Sequence, residues 1–505
     1  MKLHRLVILI VIVLMVFSVL FFLTKMPVST HVETVSYEWS YRGFSVGYLL
    51  AEREGFGRSV TGGLGGKVYH VTTLAESGPG SLRDAAESSE PLWIVFDVNG
   101  TINLSKPINV KSHKTIDGRG AQITISGYGF SINGASNVII VNLRFDTAKE
   151  PGIDAIEIRG SNNVWIHHCD ITNYSDGGID IVRQSTNITI SWCRFWNHDK
   201  VMLIGNDPSA TADEVICVTL HHNFFFRTVQ RNPRLRFGKV DVYNNYYYGW
   251  QASAAIAVAM HGQILLEANI IEAEDRKTFI SSTAGSDPEE GYIKMINNLL
   301  LNGAVAKENK PEKVFRREDY YTANIEPASE ALKERIMAFA GVDFPAEARI
   351  MKDHKLIMED FRWKEIMGDP INVGVSIKLY AIVPPYRSPS EKAVIYEWNF
   401  GDGNIIETKS FSISYVYSSP GNYTLKVSLK DQNGVLLKTI YANARVISSS
   451  SNGLNSSSST ADRDIGSENN FFILISVILL FIAVTAIFMA SSRRKYWFSN
   501  PRSRT

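Results

Sequence analysis

Three aspartates, a lysine and an arginine recur at similar positions of a repeating pattern in the middle of this chain. They are Asp154, Asp176, Asp180, Lys200 and Arg231. Asp176 and Asp180 are four residues apart, so on a β-strand their side chains point to the same side. Clustered carboxylates repel each other unless a cation joins them, and ligands that are all oxygen favour Ca²⁺ or Mg²⁺ over Zn²⁺. These residue types predict a calcium site with basic groups beside it.

A repeat of short strand-like segments must bring these residues together. Seven segments share an apolar anchor, and the spacing of successive anchors is that of a solenoid repeat. The anchors are Val138, Val164, Ile188, Val218, Val240, Ile264 and Ile293. A period of this length in short β-rich repeats is typical of a parallel β-helix, in which each coil packs only against its neighbours.

The candidate residues lie at similar distances from the anchors of successive coils. Asp154 and Asp180 follow their respective anchors by the same number of residues, so we expect them to occupy equivalent positions. Asp176 and Lys200 likewise lie at equal distances from theirs, and Arg231 lies one residue further along its own coil. Equal positions on successive coils stack about 4.8 Å apart. The spacing therefore predicts that all five share one patch on the wall of the β-helix.

A second column of polar residues supports the same repeat. Four asparagines lie five residues after their anchors, namely Asn223, Asn245, Asn269 and Asn298. Stacked asparagines can hydrogen-bond from coil to coil in a ladder. Cys169 and Cys193 take this position in two earlier repeats. The chain has three cysteines, which make no disulfide framework, and we expect free buried thiols.

The motifs that contain these residues resemble polysaccharide lyase family 1, the pectate lyases, over roughly residues 45–365. In chain order they are Val71-Thr72, Gly78–Arg83, Ile94–Val98, Thr115–Gly118, Asn163–Ile166, Asp176–Asp180, His198–Lys200 and Arg231–Arg236. The last of them is similar to the R-x-P-x-x-R signature of the family. Each motif alone is modest, and their order and spacing carry the resemblance.

The resemblance implies an all-β, right-handed parallel β-helix that cleaves polygalacturonate by calcium-assisted β-elimination. Three residues match the calcium ligands of the family, namely Asp154, Asp176 and Asp180. Arg231 matches the residue that takes the proton from C5 of the sugar. Lys200 and Arg236 match groups that hold substrate carboxylates and stabilise the enolate-like charge. The acidic polysaccharide is then the partner, and we expect the protein to be a monomer.

Two features of the chain depart from simple expectation. An arginine ordinarily stays protonated, so Arg231 could act as a base only where neighbouring positive charge crowds it, and the reaction should favour alkaline pH. His167 replaces the aspartate of the family's W-I-D-H motif, and Gly152 stands where some members carry an acid. Pectin lyases, the calcium-free relatives that act on methylated chains, lack the acidic set that this chain retains.

Other interpretations remain open at this stage. A non-catalytic β-helix could bind polysaccharide at the cell surface, and a calcium-independent pectin lyase is a second alternative. A polygalacturonase-type hydrolase would need paired acids on either side of the glycosidic bond with room for water. The adjacent pairs His167-His168 and His221-His222 could ligate a metal, but neighbours on a strand face opposite sides, which favours packing or hydrogen bonding.

The remaining chain divides into further units around a lyase-like region with its C-terminal tail at residues 40–368. A helix near Ser329 to Phe339 is expected to cap the open end of the solenoid. Residues 371–448 resemble a PKD domain, an immunoglobulin-like β-sandwich, through the W-x-F-G-D-G stretch Trp398–Gly403. We expect this module to act as a spacer rather than as a polysaccharide binder.

Both ends of the chain are typical of a membrane-anchored cell-surface protein. Residues 1–26 read as a signal peptide or an N-terminal signal anchor, with cleavage undecided. Residues 449–470 form a Ser/Asn-rich stalk, residues 471–490 a transmembrane helix and residues 491–505 a basic tail. The positive charges of that tail place it in the cytoplasm and the catalytic domain outside. A net charge of +1 gives no indication of a nucleic-acid partner.

Overall fold

The chain folds as a parallel β-helix followed by a β-sandwich. The computed structural model describes residues 34–342, 349–350, 371–382 and 395–448. Three parallel sheets of ten, nine and eight strands form the wall of the β-helix, and each complete coil contributes one strand to each sheet in turn. This arrangement confirms the predicted solenoid.

The three sheets have the following strands. The ten-stranded sheet consists of Lys67–Val71, Leu92–Phe96, Lys114–Asp117, Ser136–Val141, Asn162–His167, Thr186–Ser191, Cys217–His221, Lys239–Tyr243, Gln263–Glu267 and Tyr292–Ile296. The nine-stranded sheet consists of Gly100–Asn103, Ile123–Gly127, Arg144–Ala148, Asp170–Thr172, Arg194–Trp196, Phe224–Phe226, Tyr246–Tyr248, Ile270–Glu272 and Leu299–Leu301. The eight-stranded sheet consists of Ile108–Asn109, Phe130–Asn133, Ile156–Arg159, Gly177–Val182, Lys200–Ile204, Arg234–Arg236, Ile256–Ala259 and Ile280–Ser281.

The register of the ten-stranded sheet matches the predicted anchors. Val138 pairs with Val164 and Val164 with Ile188, and the pairing continues through every later anchor to Ile293. Each anchor is buried in the interior of the coil with an exposure of at most 1 %. A one-residue slip would turn the whole apolar row outward, so burial of this row fixes the register.

The predicted asparagine ladder is present and follows a column of left-handed turns. The residue after each strand end of this region has a φ near +50°, as in Asn142, His168 and Trp192. The turn brings the next residue to the ladder, where the side-chain amide of Asn245 donates to Asn269 Oδ1 at 3.0 Å. At the earlier end, the backbone N–H of Cys193 donates to Asn223 Oδ1 at 2.9 Å. The cysteines are free thiols, as predicted.

Three coils precede the first predicted anchor. Lys67 pairs with Leu92, Leu92 with Lys114, and Lys114 with Val138. Lys114 is fully buried, and its amino group donates to two backbone carbonyls, those of Glu90 at 2.6 Å and Ser112 at 3.1 Å. Burial lowers the pKa of Lys114 to about 8. The β-helix is therefore three coils longer than the apolar repeat indicates.

Short helices and small strand pairs cover the β-helix. The α-helices are Val46–Ala51, Leu82–Ala86 and Glu330–Phe339, the 3₁₀ helices are Thr211–Val215, Pro311–Lys313 and Arg317–Asp319, and the additional strand pairs are Ser40–Tyr41 with Phe44–Ser45 and Lys277–Thr278 with Ala304–Val305. The predicted helix near Ser329 exists, with Ser329 as its N-cap. Its predicted place was wrong, because its apolar face packs on Phe224, Tyr246 and Ile270 of the nine-stranded sheet. That sheet presents an apolar outer surface for the helix to cover.

The second part is a β-sandwich whose strands pair antiparallel except for Ile371–Asn372, which pairs in parallel with Leu436–Ile447. Its sheets have five strands (Ile371–Asn372, Ile395–Asn399, Ile405–Thr408, Gly421–Lys430 and Leu436–Ile447) and three strands (Arg349–Ile350, Ser376–Ile382 and Ser412–Val416). Trp398, Phe400 and Tyr417 are fully buried between them. Within the described ranges, no helix is long and apolar enough to cross a membrane. The predicted signal segment, stalk, transmembrane helix and tail lie outside the described residues.

Candidate active site

The eight-stranded sheet carries the candidate residues on or beside four successive strands. Asp154 lies in the turn before Ile156–Arg159, and Asp176 directly precedes Gly177–Val182. Asp180 lies within that second strand, and Lys200 begins the next one. Because these strands are neighbours in the sheet, residues that are distant in sequence reach one face of the wall.

Asp154 and Asp180 converge on the backbone of Gly177. The backbone N–H of Gly177 donates to Asp154 Oδ1 at 2.6 Å. A Cβ atom at Gly177 would lie 2.4 Å from Asp180 Oδ1 and 2.8 Å from Asp154 Oδ1. Any side chain at this point would force both carboxylates to move. The two oxygens thus flank one small volume on the outer face of the sheet.

The predicted equivalence of Asp154 and Asp180 was wrong. Asp180 pairs in register with Glu157, three residues beyond Asp154. The earlier coil has three more residues between its anchor and this sheet, which displaces Asp154 into the turn. Its side chain nevertheless reaches Gly177, so the carboxylates lie close together although their positions are not equivalent.

The electrostatics of the two aspartates are those of a cation site. Burial raises the pKa of Asp154 to about 6, and the negative charge of Asp176 adds to this effect. Burial raises the pKa of Asp180 to about 7, and the negative charge of Asp154 adds to it. The positive charge of Arg231 opposes both shifts. Crowded carboxylates of this kind are stabilised by a bound cation, and a set of oxygen donors suits Ca²⁺.

Lys200 lies against the third aspartate. Its Nζ atom is 2.8 Å from Asp176 Oδ1, and about a third of each side chain is exposed. In the sheet, Lys200 pairs with Gly177. This places the ammonium group beside the residue around which Asp154 and Asp180 converge. The structure therefore brings a cation and the three carboxylates to one half-buried patch of the wall.

Arg231 lies in the segment before the strand Arg234–Arg236. Its backbone has a φ of +58°, in the left-handed region, and its carbonyl accepts from the N–H of Met202 at 2.7 Å. In the part of the chain that the structure describes, the buried Nε atom of Arg231 has no hydrogen-bond partner. A guanidinium group without a bonded carboxylate remains available to a ligand.

Arg236 has different surroundings from Arg231. Its Nε atom lies 2.8 Å from Asp287 Oδ2 and its Nη2 atom 3.2 Å from Asp287 Oδ1. Arg234, on the same side of the strand, also contacts Asp287 Oδ2, at 3.2 Å. The structure thus places Arg236 in an ion-pair cluster instead of among the three aspartates.

Sequence reasoning missed Arg234, Asp287 and Glu157. Arg234 lies within the signature but carries no predicted role, and Asp287 belongs to no motif. Glu157 adds negative charge near Asp154 and is paired with Arg159 at 2.6 Å. The sequence offers one signal for Glu157, which is that it lies shortly after Asp154 and two residues before Arg159.

His167 and His168 lie on the other side of the coil, in the ten-stranded sheet. Because His168 occupies a left-handed turn, the two rings are only 4.4 Å apart and not on opposite faces as predicted. His167 Nδ1 is 2.9 Å from Ser191 Oγ, and its Nε2 is 3.0 Å from Glu52 Oε2. Glu52, His167 and His168 each place a potential ligand atom within 4.8 Å of the others. The hydrogen bonds of His167 to Ser191 and Glu52 support the predicted packing and hydrogen-bonding role.

Comparison with known proteins identifies two families. A family model described as pectate lyase matches residues 97–342, and one described as PKD domain matches residues 385–446. "Probable pectate lyase 18" of Solanum lycopersicum is 36% identical over 284 residues, which are 50% of this chain and 70% of that protein. "Pectate lyase" of Nicotiana tabacum is 39% identical over 246 residues, 44% of this chain and 62% of that protein.

Solved structures show the same fold. The crystal structure of jun a 1, the major allergen from cedar pollen, is 31% identical and superimposes with a TM-score of 0.54, covering 57% of this chain and 92% of that one. The thermostable pectate lyase PL 47 has a TM-score of 0.50 at 23% identity and covers 60% of this chain and 99% of that one. The second likeness supports the parallel β-helix alone.

Proposed function

The chain belongs to the pectate lyase family and is a polysaccharide lyase, and we propose that it cleaves polygalacturonate by calcium-dependent β-elimination with Arg231 as the base. The observation that carries the proposal is the convergence of three carboxylates and two basic groups on one half-buried patch of the wall. Asp154 and Asp180 flank Gly177, and Lys200 binds Asp176 beside them. Binding alone would need no base at this place, and the Nε atom of Arg231 has no hydrogen-bond partner among the described residues.

Asp154, Asp176 and Asp180 fit a calcium ion. Their oxygens are hard donors of the kind that calcium prefers. Burial, and after it the neighbouring negative charge, raises the pKa values of Asp154 and Asp180, and a bound cation would relieve both effects. Bound by these residues, calcium would withdraw electrons from a uronate carboxylate and acidify the proton on the adjacent C5 carbon.

The residues of the chain would then carry the elimination. Arg231 accepts the C5 proton through a guanidine nitrogen, and the electrons of that C–H bond form the double bond between C4 and C5. The bond from C4 to the glycosidic oxygen breaks, and this oxygen takes a proton from solvent water while Arg231 returns the C5 proton to the solvent. Lys200 stabilises the negative charge that develops on the uronate carboxylate. The products are an unsaturated uronide and a shortened chain, and no water is consumed.

The test follows formation of the unsaturated product by its ultraviolet absorbance. We expect a calcium-dependent rise with polygalacturonate at alkaline pH, no rise with a chelator, and a loss of about 10²–10⁴-fold in Arg231→Ala. Arg227→Ala is the matched control, because Arg227 is an exposed arginine paired with Glu274. Full activity of Arg231→Ala would refute the assigned base. A folded protein that forms no unsaturated product from any uronate polymer would refute the lyase function.

We also propose that the lyase is held at the cell surface. The proposal rests on the apolar segment at residues 471–490 and the basic residues that follow it, with the PKD domain and stalk as spacers. The full chain should sediment with membranes and be accessible to protease added outside intact cells. A chain that ends before residue 471 should be released. A full chain found in the soluble fraction would refute the anchor.

A further inference from the structure

His198 is a buried histidine beside the candidate active site, and its ring nitrogens lack hydrogen-bond partners. Its exposure is 3 %, and neither Nδ1 nor Nε2 makes a well-formed hydrogen bond with any of the described residues. Burial lowers the pKa of His198 to about 4, so the ring is neutral at alkaline pH. A buried donor without a partner costs free energy, and an apolar side chain would fill the same space without that cost. Packing alone therefore does not explain a histidine at this position.

The ring of His198 lies close to two parts of the site. A Cβ atom at Gly178 would lie 3.2 Å from both Cδ2 and Nε2 of His198, so the ring packs on the backbone of the strand that carries Asp180. The effect of burial on the pKa of His198 is opposed by the negative charge of Asp199 and by the backbone of Lys200. The ring therefore contacts the strand of the calcium ligands and lies near the main chain of the lysine beside them.

The segment that contains His198 is held between two neighbouring coils. The backbone N–H of Val229 donates to the carbonyl of His198 at 3.0 Å. Lys200 pairs with Gly177 of the preceding coil and with Gln230 of the following one. The segment thus lies between the coil of the aspartates and the coil of the proposed base. A shift of its main chain would move the ammonium group of Lys200 relative to both.

We propose that His198 is a positioning residue that holds Lys200 in place for the elimination. The inference rests on the proposed function. Since its exposure is 3 %, His198 does not reach the substrate, so it acts through the main chain of Lys200. Hydrogen bonds of an unoccupied active site are often long and shorten in the complex with substrate. With substrate bound, a ring N–H of His198 donates to the carbonyl of Lys200, and the ammonium group keeps its place at the uronate carboxylate.

The experiment is a double-mutant cycle measured by steady-state kinetics on polygalacturonate with calcium present. His198→Leu, which is similar in volume and has no donor, should lower kcat about ten- to a hundredfold and change KM less than about twofold, because Lys200 stabilises the transition state. In the Lys200→Ala protein, the same change should lower kcat by less than about a further twofold, since its effect passes through Lys200. His221→Leu is the matched control and should keep the wild-type kcat. His221 also has an exposure of 3 % and a buried Nε2 atom without a partner among the described residues, but it lies in the ten-stranded sheet.

The outcomes separate this inference from the proposed function. Equal losses of kcat with and without Lys200, or a loss confined to KM, would overturn the role of His198 and leave the lyase function intact. A wild type that forms no unsaturated product would overturn the lyase function and this inference with it. If His198→Leu does not fold, nitrogen NMR of the histidine rings in Arg231→Ala decides, with calcium and a galacturonate trimer that this variant cleaves slowly. The trimer should shift one ring signal that does not titrate between about pH 6 and pH 9, and the absence of such a shift would overturn the inference.

Discussion

Replacing Asp180 by asparagine should stabilise the calcium-free protein and abolish its stabilisation by calcium. Burial and the negative charge of Asp154 raise the pKa of Asp180 from 3.8 to about 7, so its ionised form is costly in the folded state. Asparagine has nearly the same shape without the charge. Its amide oxygen can still accept from the backbone N–H of Leu203, which lies 3.4 Å from Asp180 Oδ1.

The sign and the size of the effect follow from the raised pKa. The folded protein holds the Asp180 proton more tightly than the unfolded chain, so this contribution to stability is complete below the unfolded pKa of 3.8 and is lost as pH rises through about 7. A shift of about three units corresponds to about 4 kcal/mol for an isolated group. The repulsion is shared with Asp154 and solvent reaches part of the site, so about 2 kcal/mol is expected.

The assay is thermal unfolding of wild type and Asp180→Asn across pH in the presence of a chelator. At about pH 8 the variant should unfold about 3–6 °C above wild type, and the difference should shrink as the pH falls and vanish below about pH 4. Asp275→Asn, at an exposed position, should show no such pH-dependent gain. With calcium at about 100 times its dissociation constant, wild type should gain about 2.7 kcal/mol and Asp180→Asn almost nothing. A variant that is less stable than wild type at alkaline pH without calcium would refute the electrostatic argument.

Gly177→Ala should weaken calcium binding at least tenfold with little loss of β-helix structure, because the added Cβ would meet both carboxylates within 2.8 Å. Unchanged calcium affinity by calorimetry would contradict the assigned site. Asn245→Leu should lower the free energy of unfolding by about 3 kcal/mol, since it leaves buried hydrogen-bonding groups of Asn223 and Asn269 without a partner. Asn298→Leu, at the partly exposed end of the ladder, should cost less in the same denaturant titration. His167→Asp should lower the unfolding temperature at neutral pH, because a carboxylate would replace the ring that bonds Glu52 at 3.0 Å, and Glu52→Gln should restore it. An unaffected His167→Asp protein would show that this bond contributes nothing.

The register of the later coils was predictable because every coil has to bury the same apolar position. The anchors from Val138 to Ile293 repeat at a spacing that only modest turn insertions disturb. The three earlier coils could not be found in this way, since a lysine stands at the anchor position in two of them. Lys114 is fully buried and bonds two backbone carbonyls. One sequence does not distinguish such a lysine from a solvated one.

The grouping of the site was easier to predict than its geometry. The types and spacing of the three aspartates indicated a shared patch, and the structure brings them together. The predicted equivalence of Asp154 and Asp180 was wrong because two turns lie between the anchor and this part of the coil. Turns accept inserted residues without loss of the sheet register. Asp180 pairs with Glu157 although Glu157 lies three residues further from its own anchor than Asp180 does from Val164.

Arg231 and Arg236 show why a motif alone does not define a role. The signature contains both arginines and does not distinguish their roles. No motif contains Asp287, which lies 51 residues from Arg236. Arg236 is held by a buried carboxylate that occupies its donors, and loss of a proton from this guanidinium group would weaken the compensation of that buried charge. Arg231 has a buried Nε atom with no partner among the described residues. Of the two, only the arginine without a carboxylate partner can give up a proton without breaking an ion pair, and only that one could then take a proton from the substrate.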